Sequence, residues 1–515
     1  MNSKTTFLLL LLILLIGAGL RLYPAFKYPG IFAEPDVYIY YSIASQTLNN
    51  HMAITSRLSG IPPRPYSEFP GLVLVPAYIS RFSGIPLSVI FEYLPVIMGI
   101  LGILIVYLLM QEFMHERWVA LFAAFLYAVL PVSLYRGMAG EWRGGVFVVV
   151  FVAIALLFII KTDKKTAIWT VPGALLFIIA SLWFWSGGVY VLLVLGLYLA
   201  SAMVFYALPR LIKRTGSNHL LRNWLTYIVV FALLPIGYLV LLHVNYTASL
   251  INGYFSFELS YIEELAPTTA ADLFIFFAWV FPVSIMGLGL IAYMDRRETF
   301  HKSQYALFSL FVPTVVMASI QIRWLSLFAI PACIYAAYFI YAFLTMMKAR
   351  PRIIIEVVVF LSALALLAGL YFMLPITPAD GINYQFLTAL SWLKANSPAN
   401  ATVLTLWPDG SLVEGYADRP SYSDSIMGMG TPESSGFIKF LFRKAGNYSY
   451  IYSVRPSYLP VRKYWLNETF GMLIQIGLPL NTSVNGTNLQ QLLQLDGKPP
   501  FPVVFSNNDT IIYKT

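Results

Sequence analysis

About eleven stretches of the chain are apolar for long enough to cross a bilayer as helices: 5–23, 87–110, 118–135, 145–160, 166–183, 187–207, 224–243, 271–293, 303–320, 324–346 and 353–374. In hydrocarbon every backbone N–H and C=O must be bonded internally, so this pattern confines the chain to a helical bundle. Composition agrees, with 59% hydrophobic residues, 11% charged residues and a mean hydropathy of +0.72, where soluble chains carry about 25% charged residues. The first stretch, "FLLLLLILLIGAGL" after Lys4, has no A-x-A cleavage site before Arg21 and reads as an uncleaved span. Cys333 is the one cysteine. It excludes an internal disulfide and, in an apolar run, reads as a buried structural thiol.

The charge distribution orients the spans. With Lys4 cytoplasmic, the loops holding His115-Glu116-Arg117, Lys161 to Lys165, Arg210 to Arg214, Arg296-Arg297 and Lys348 to Arg352 are cytoplasmic too, as the positive-inside rule requires. The net charge of +9 is thereby explained by loop bias, and nucleic acid is not expected as a partner. Loops at about 24–86 and 244–270 and a soluble domain at 375–515 then face the exterior. The domain carries six Asn-x-Ser/Thr sequons, at Asn400, Asn447, Asn467, Asn481, Asn485 and Asn508, and Asn245 heads a seventh in the second loop. The predicted cytoplasmic loops have none, which agrees independently with the orientation. Within the domain, "NYQFLTALSWLKANSP" has helical spacing, "ATVLTLW" reads as a buried strand, and Pro408-Asp409-Gly410 as the turn that ends it.

Charged side chains near hydrocarbon tend to mark function. "AEPDVYIYYSIASQTLNN" predicts a helix opening at Pro35-Asp36, with Tyr38, Tyr41 and Ala44 on one face. Asp36 reads either as an N-cap or, with Glu34, as half of a carboxylate pair able to hold a hard divalent cation. "LYRGMAGEWRGGVF" packs Arg136, Glu141 and Arg143 between two spans. The arginines suit interfacial anchoring, whereas Glu141 has no anchoring role beside anionic headgroups. "SFELSYIEELAPTT" supplies Glu258, Glu263 and Glu264, either a solvated helix face or further metal ligands. Arg323, in "QIRWLSLF", stands at the head of a span, as an anchor or a grip on a lipid phosphate.

Together these segments resemble the STT3/AglB oligosaccharyltransferase catalytic subunits, and the order of the motifs covers essentially the full chain. "AEPDVY" resembles the family's first Asp-x-Asp motif, with Glu34 at its first position and Asp36 at its second. "YIEE" followed by "LAP" resembles the Ser-Val-x-Glu or Thr-Ile-x-Glu loop, which makes Glu264 the matching glutamate. "WSGGVYV" at 185–191 resembles a Trp-Gly-Gly-aromatic stretch, and "WPDGSLVEGYADRPSYSDS" the Trp-Trp-Asp-Tyr-Gly signature with its following Ala-Asn-Arg and Asp. Pro408 replaces the second Trp, and Arg143 stands where the family has Asp, leaving Glu141 as the nearby acid.

The resemblance implies a polytopic α-helical membrane protein of GT-C type with about 11–13 spans over 1–374 and a mixed α/β extracytoplasmic domain over 375–515. It further implies transfer of an oligosaccharide from a dolichyl-type phosphate or diphosphate to Asn of Asn-x-Ser/Thr in polypeptides, at the plasma membrane and in an archaeal type of single-subunit enzyme. By the same resemblance Asp36, Glu264 and Arg323 would be catalytic. Asp36, Glu141 and Glu264 would bind Mn²⁺ or Mg²⁺, with Glu34, Arg143 and Glu263 as possible secondary contributors. Trp407 and Asp409 would bind the sequon hydroxyl, and Arg323 the donor phosphate. Three other readings stay open: a different polyprenyl-phosphate-sugar transferase such as a protein O-mannosyltransferase, an inactive scaffold, and a transporter.

Overall fold

The computed structural model describes residues 2–52, 54–56, 58, 70–162, 165–185, 188, 190–202, 268–294, 302–376, 382–424, 432–467, 469, 472–473, 478–479, 481–494 and 499–515. They divide into two compact units. One comprises residues 1–26, 94–139 and 143–376, and the other 27–93, 140–142 and 377–515. Residues of the first loop and of the short second loop fall in the same unit as the C-terminal region.

The first unit contains α1 (Ser3–Lys27, up to residue 26), the greater part of α4 (Leu87–Met114), α5 (Arg117–Val129), α6 (Pro131–Arg136), α7 (Gly144–Lys161), α8 (Ala167–Phe184), α9 (Tyr190–Ala202), α10 (Ala270–Phe277), α11 (Val280–Met294), α12 (Lys302–Ile320), α13 (Leu325–Met346) and α14 (Pro351–Met373). Among the described residues six helices are long and apolar enough to cross a membrane, or seven if α10 and α11, bent by 93° at their junction, form one span. The expected span at 224–243 lies outside the described residues.

The stretch expected as one span at 118–135 is two helices, α5 and α6. Pro131 has no N–H to continue the ladder and holds Leu130 extended, at ψ 126°. The carbonyls freed at the break are satisfied from elsewhere. Arg21, fully buried, donates through Nη1 to the carbonyls of Gly17 and Ala128, each at 3.0 Å, and through Nη2 to Ser133 Oγ at 3.1 Å and the Ser133 carbonyl at 3.3 Å. Gly99 leaves it room, since a Cβ there would stand 2.4 Å from Arg21 Nε. A cation thus caps two helix ends, a role compatible with a buried arginine in an apolar bundle.

The second unit holds α2 (Pro35–Asn49), α3 (Pro70–Ser83), α15 (Tyr384–Asn396), α16 (Trp407–Leu412) with a π-helical turn at Val413–Ala417, α17 (Pro432–Leu441), α18 (Ser449–Val454), α19 (Asn488–Leu492) and an antiparallel sheet of β1 (Tyr458–Arg462), β2 (Val503–Ser506) and β3 (Thr510–Lys514) in the order β1-β3-β2. Its core includes Leu404, Phe437, Leu441, Leu459, Trp465, Leu489 and Tyr513. The helix expected from "NYQFLTALSWLKANSP" is α15, where Asn383 Oδ1 caps the Phe386 N–H at 2.8 Å.

"ATVLTLW" is buried as expected but forms no strand. Val403 makes single parallel bridges to Ser421 and Tyr458, and the chain then leaves both partners. Pro408 is the reason, because a proline in the first turn of a helix is favourable whereas in a ladder it removes a donor. The expected turn at 408–410 is accordingly the start of α16.

Candidate active site

The second unit brings three separated sequence segments together. In the first, Glu34 occupies the N-cap position of α2 with extended backbone, yet its side chain makes no capping bond, and Asp36 lies in the first turn. The Glu34 carboxylate is therefore not consumed as a cap. In the second, the Ala33 N–H donates to the Gly140 carbonyl at 3.0 Å, which brings the backbones preceding Glu34 and Glu141 side by side. Gly140 has a φ of +77°, the left-handed region that favours glycine. Trp142 fixes this short loop by donating from Nε1 to the Leu72 carbonyl at 3.1 Å and packing 4.6 Å from the Phe91 ring. Glu34 and Glu141 are buried, and Asp36 is half-buried.

The third segment is the Trp-Pro-Asp-Gly helix. Gly410 is explained by close approach rather than by a turn, since a Cβ there would stand 1.6 Å from the Ser423 carbonyl oxygen. Gly415, in the π-helical turn, meets α2 in the same way, and the Tyr38 and Tyr416 rings sit edge to face at 6.4 Å. Insertions of this kind into a helix are frequent at functional sites. The turn ends at Asp418, at a φ of +56°. Arg419 then secures the end of α15, donating to the carbonyls of Lys394 and Ser397 at 2.6 Å each.

Asp409 is held from another part of the fold. Its Oδ1 accepts from Arg462 Nη1 at 2.6 Å and its Oδ2 from Trp465 Nε1 at 2.7 Å. Arg462 also donates through Nε to Asp509 Oδ2 at 3.0 Å and lies 3.9 Å over the Phe386 ring. Burial raises the Asp409 pKa, with Arg462 and the Trp465 indole pulling against it. Burial alone would lower the Arg462 pKa, but the two carboxylates more than offset it and keep the guanidinium charged. Glu414, also buried, has its pKa pushed well up by desolvation and then by the Asp424 carboxylate.

Residues 5–398 match the family model for "Oligosaccharyl transferase STT3, N-terminal". The chain belongs to the STT3 oligosaccharyltransferase family. It is 28% identical over 236 residues to dolichyl-phosphooligosaccharide-protein glycotransferase 2 of Pyrococcus furiosus, a match that covers 43% of this chain and only 30% of the relative's length. Its fold is similar to that of the oligosaccharyltransferase AglB of Archaeoglobus fulgidus, solved with an inhibitory peptide and a dolichol-phosphate, at a TM-score of 0.70 and 16% identity over 92% of this chain and 71% of that one. The same protein has been solved tethered to a peptide containing an NVT sequon, and with zinc and sulfate. ArnT of Cupriavidus metallidurans shares the fold more distantly, at a TM-score of 0.54 and 11% identity over 99% of this chain and 98% of that one.

Of the residues that family resemblance singles out, the second unit brings together the segments bearing Glu34, Asp36, Glu141, Trp407 and Asp409. Arg143 is the N-cap of α7, in the first unit. The backbone of Arg323 lies in the short 3₁₀ turn Ile322–Trp324 that leads into α13, and its side chain lies outside the described residues. Glu258, Glu263, Glu264 and the Asn245 sequon also lie outside them. Among the described residues no three His, Cys, Asp or Glu side chains gather closely enough to hold a metal ion. Glu34, Asp36 and Glu141 by themselves therefore do not make up a complete ligand set, and Glu264, the expected further ligand, lies outside the described residues. Sequence reasoning missed Arg462, Trp465, Asp509 and Glu414. The charge closing the otherwise uncharged "YLPVR" was a visible signal, but nothing in the sequence tied it to Asp409.

Proposed function

We propose that this chain transfers a glycan from a dolichyl-type phosphate or diphosphate carrier to the amide nitrogen of Asn in Asn-x-Ser/Thr. The observation that carries the proposal is the seating of the Asp36 helix on the Trp-Pro-Asp-Gly helix through Gly415 and Tyr38. That arrangement joins, in one unit, a carboxylate suited to the acceptor amide and the segment bearing Trp407 and Asp409, whose polar groups suit the sequon hydroxyl.

The amide nitrogen is a poor nucleophile because its lone pair is delocalised into the carbonyl. Asp36, with Glu264, accepts the amide N–H groups, orients the nitrogen toward the sugar and weakens that delocalisation. Asp409 and the Trp407 indole bind the Ser or Thr hydroxyl, and a site built on such groups rejects a peptide lacking it. Arg323 stabilises charge on the departing phosphate. A Mn²⁺ or Mg²⁺ ion at Asp36 and Glu141 requires a further ligand, for which Glu264 is our candidate and Glu263 its neighbour. The apolar spans support a multi-pass membrane protein, and the positive-inside bias of the loops supports a cytoplasmic N-terminus and an extracytoplasmic C-terminal region in the plasma membrane; in this reading the chain works as a single subunit. In the test, purified protein is given lipid-linked oligosaccharide and peptides bearing Asn-x-Thr, Gln-x-Thr or Asn-x-Ala. Product confined to Asn-x-Thr and abolished by Asp36→Ala is expected, and verified donor with folded protein giving no product refutes the proposal.

A further inference from the structure

We infer that Arg462 is a positioning residue for acceptor recognition, acting through Asp409; this rests on the hydroxyl-binding reading of Asp409 proposed above. Asp409 lies in a six-residue helix, and both groups that bond its carboxylate come from beyond it, Arg462 53 residues further on and Trp465 56. Between them they take one acceptor site on each oxygen. A carboxylate has about four such sites, so each Asp409 oxygen keeps one for an incoming hydroxyl. The Arg462 side chain is 0% exposed and that of Asp409 7%, so the guanidinium is sealed in and the carboxylate it holds is nearly so.

Arg462 is itself fixed on three sides. Its position at the end of β1 opposite Thr510 is set by the register of the sheet. Phe386 of α15 packs against its plane. Asp509 takes its Nε, and Asp509 is held by a hydrogen bond from Thr510 Oγ1 at 2.9 Å. A flat fork can bond Asp409 and Asp509 at once in fixed directions, which an ammonium group cannot reproduce. A charge buried this fully is a poor source of net stability, and similar pairs are often replaced by apolar residues without loss. Orientation of Asp409 is the function that requires the guanidinium specifically.

The test measures kcat and KM for Asn-x-Thr and Asn-x-Ser peptides on the full chain carrying Arg462→Lys, Arg462→Gln, Asp509→Asn or Asp409→Asn, together with each variant's melting temperature. Asp509→Asn leaves Asp409 and Arg462 in place and loosens only the hold on the guanidinium, so it decides the matter if Arg462 variants fail to fold. The expected result is an acceptor KM raised about 10-fold or more in Arg462→Gln, the scale of a charge-assisted hydrogen bond. Smaller rises are expected in Arg462→Lys and Asp509→Asn, with kcat at saturating peptide nearly unchanged throughout. Folded Asp509→Asn or Arg462→Lys with wild-type KM, when Asp409→Asn raises it, overturns the inference alone. Asp409→Asn with wild-type KM overturns the reading of Asp409 on which it rests.

Discussion

Gly415 lies directly on Tyr38: a Cβ at position 415 would stand 2.3 Å from the Tyr38 carbonyl oxygen and 2.7 Å from its Cβ. Two residues before Tyr38 is Asp36, and six before Gly415 is Asp409. The close approach of two backbones is thus the joint through which the two proposed acceptor-binding groups are spaced.

Gly415→Ala tests that joint. Neither backbone can yield as a flexible side chain would, so α2 must shift. The expected cost is about 1–3 kcal/mol of stability, typical of overpacking. The fall in transfer rate should be larger than that implies, about 100-fold, since small misplacements of reacting groups are severe. Melting temperature and single-turnover transfer measured on the same preparation separate the two effects.

Glu414 gives a pH dependence of stability with a definite sign. Its folded pKa is raised well above the ordinary 4.5 by burial and Asp424. Its contribution is therefore fully present below the unfolded value and is lost as pH rises through the folded one, at about 1.4 kcal/mol per pH unit between them. Glu414→Gln should match wild type in acid and melt at a higher temperature than wild type at neutral and alkaline pH. A series of melting curves from about pH 4 to about pH 9 checks this; a constant difference across the series would refute it.

Removal of divalent cations should abolish transfer, and either Mn²⁺ or Mg²⁺ should restore it. Glu141→Gln should raise the half-saturating metal concentration by about 10-fold or more, because even outer-shell partners are worth that much. Titration of activity against free Mn²⁺ measures the shift. An unchanged titration would remove Glu141 from the proposed ligand set.

The sequons should differ in occupancy once the chain has folded. Thr510 of the Asn508 sequon is fully buried, and its hydroxyl is committed to Asp509, whereas Asn481 and Ser483 are exposed. Incubation of folded protein with donor should modify Asn481 and leave Asn508 bare, as read by glycopeptide mass spectrometry.

Several features were legible without coordinates. Apolar runs gave the long helices, Pro35-Asp36 gave the start of α2, and Asn383 with the spacing of Phe386 and Leu390 gave α15. Prolines account for the misreadings. Pro131 divides an apolar run that looks continuous, and Pro408 turns an expected strand end into a helix start. In the site, the resemblance directed attention to Asp36, Glu141 and Asp409, while Arg462, Trp465 and Asp509 carried no motif.

Sequence alone determined that the chain is a membrane-embedded helical protein and which short segments hold its acidic residues, because hydropathy, proline and capping act within a few turns of backbone. The tertiary structure decided that α2, the Gly140 loop and the Trp-Pro-Asp-Gly helix share one unit, that Gly410 and Gly415 serve close approach, and that the Asp409 carboxylate is aimed by Arg462 and Trp465. Those relationships depend on the packing and register of segments far apart in the chain, and no local pattern of residues encodes a distance between them.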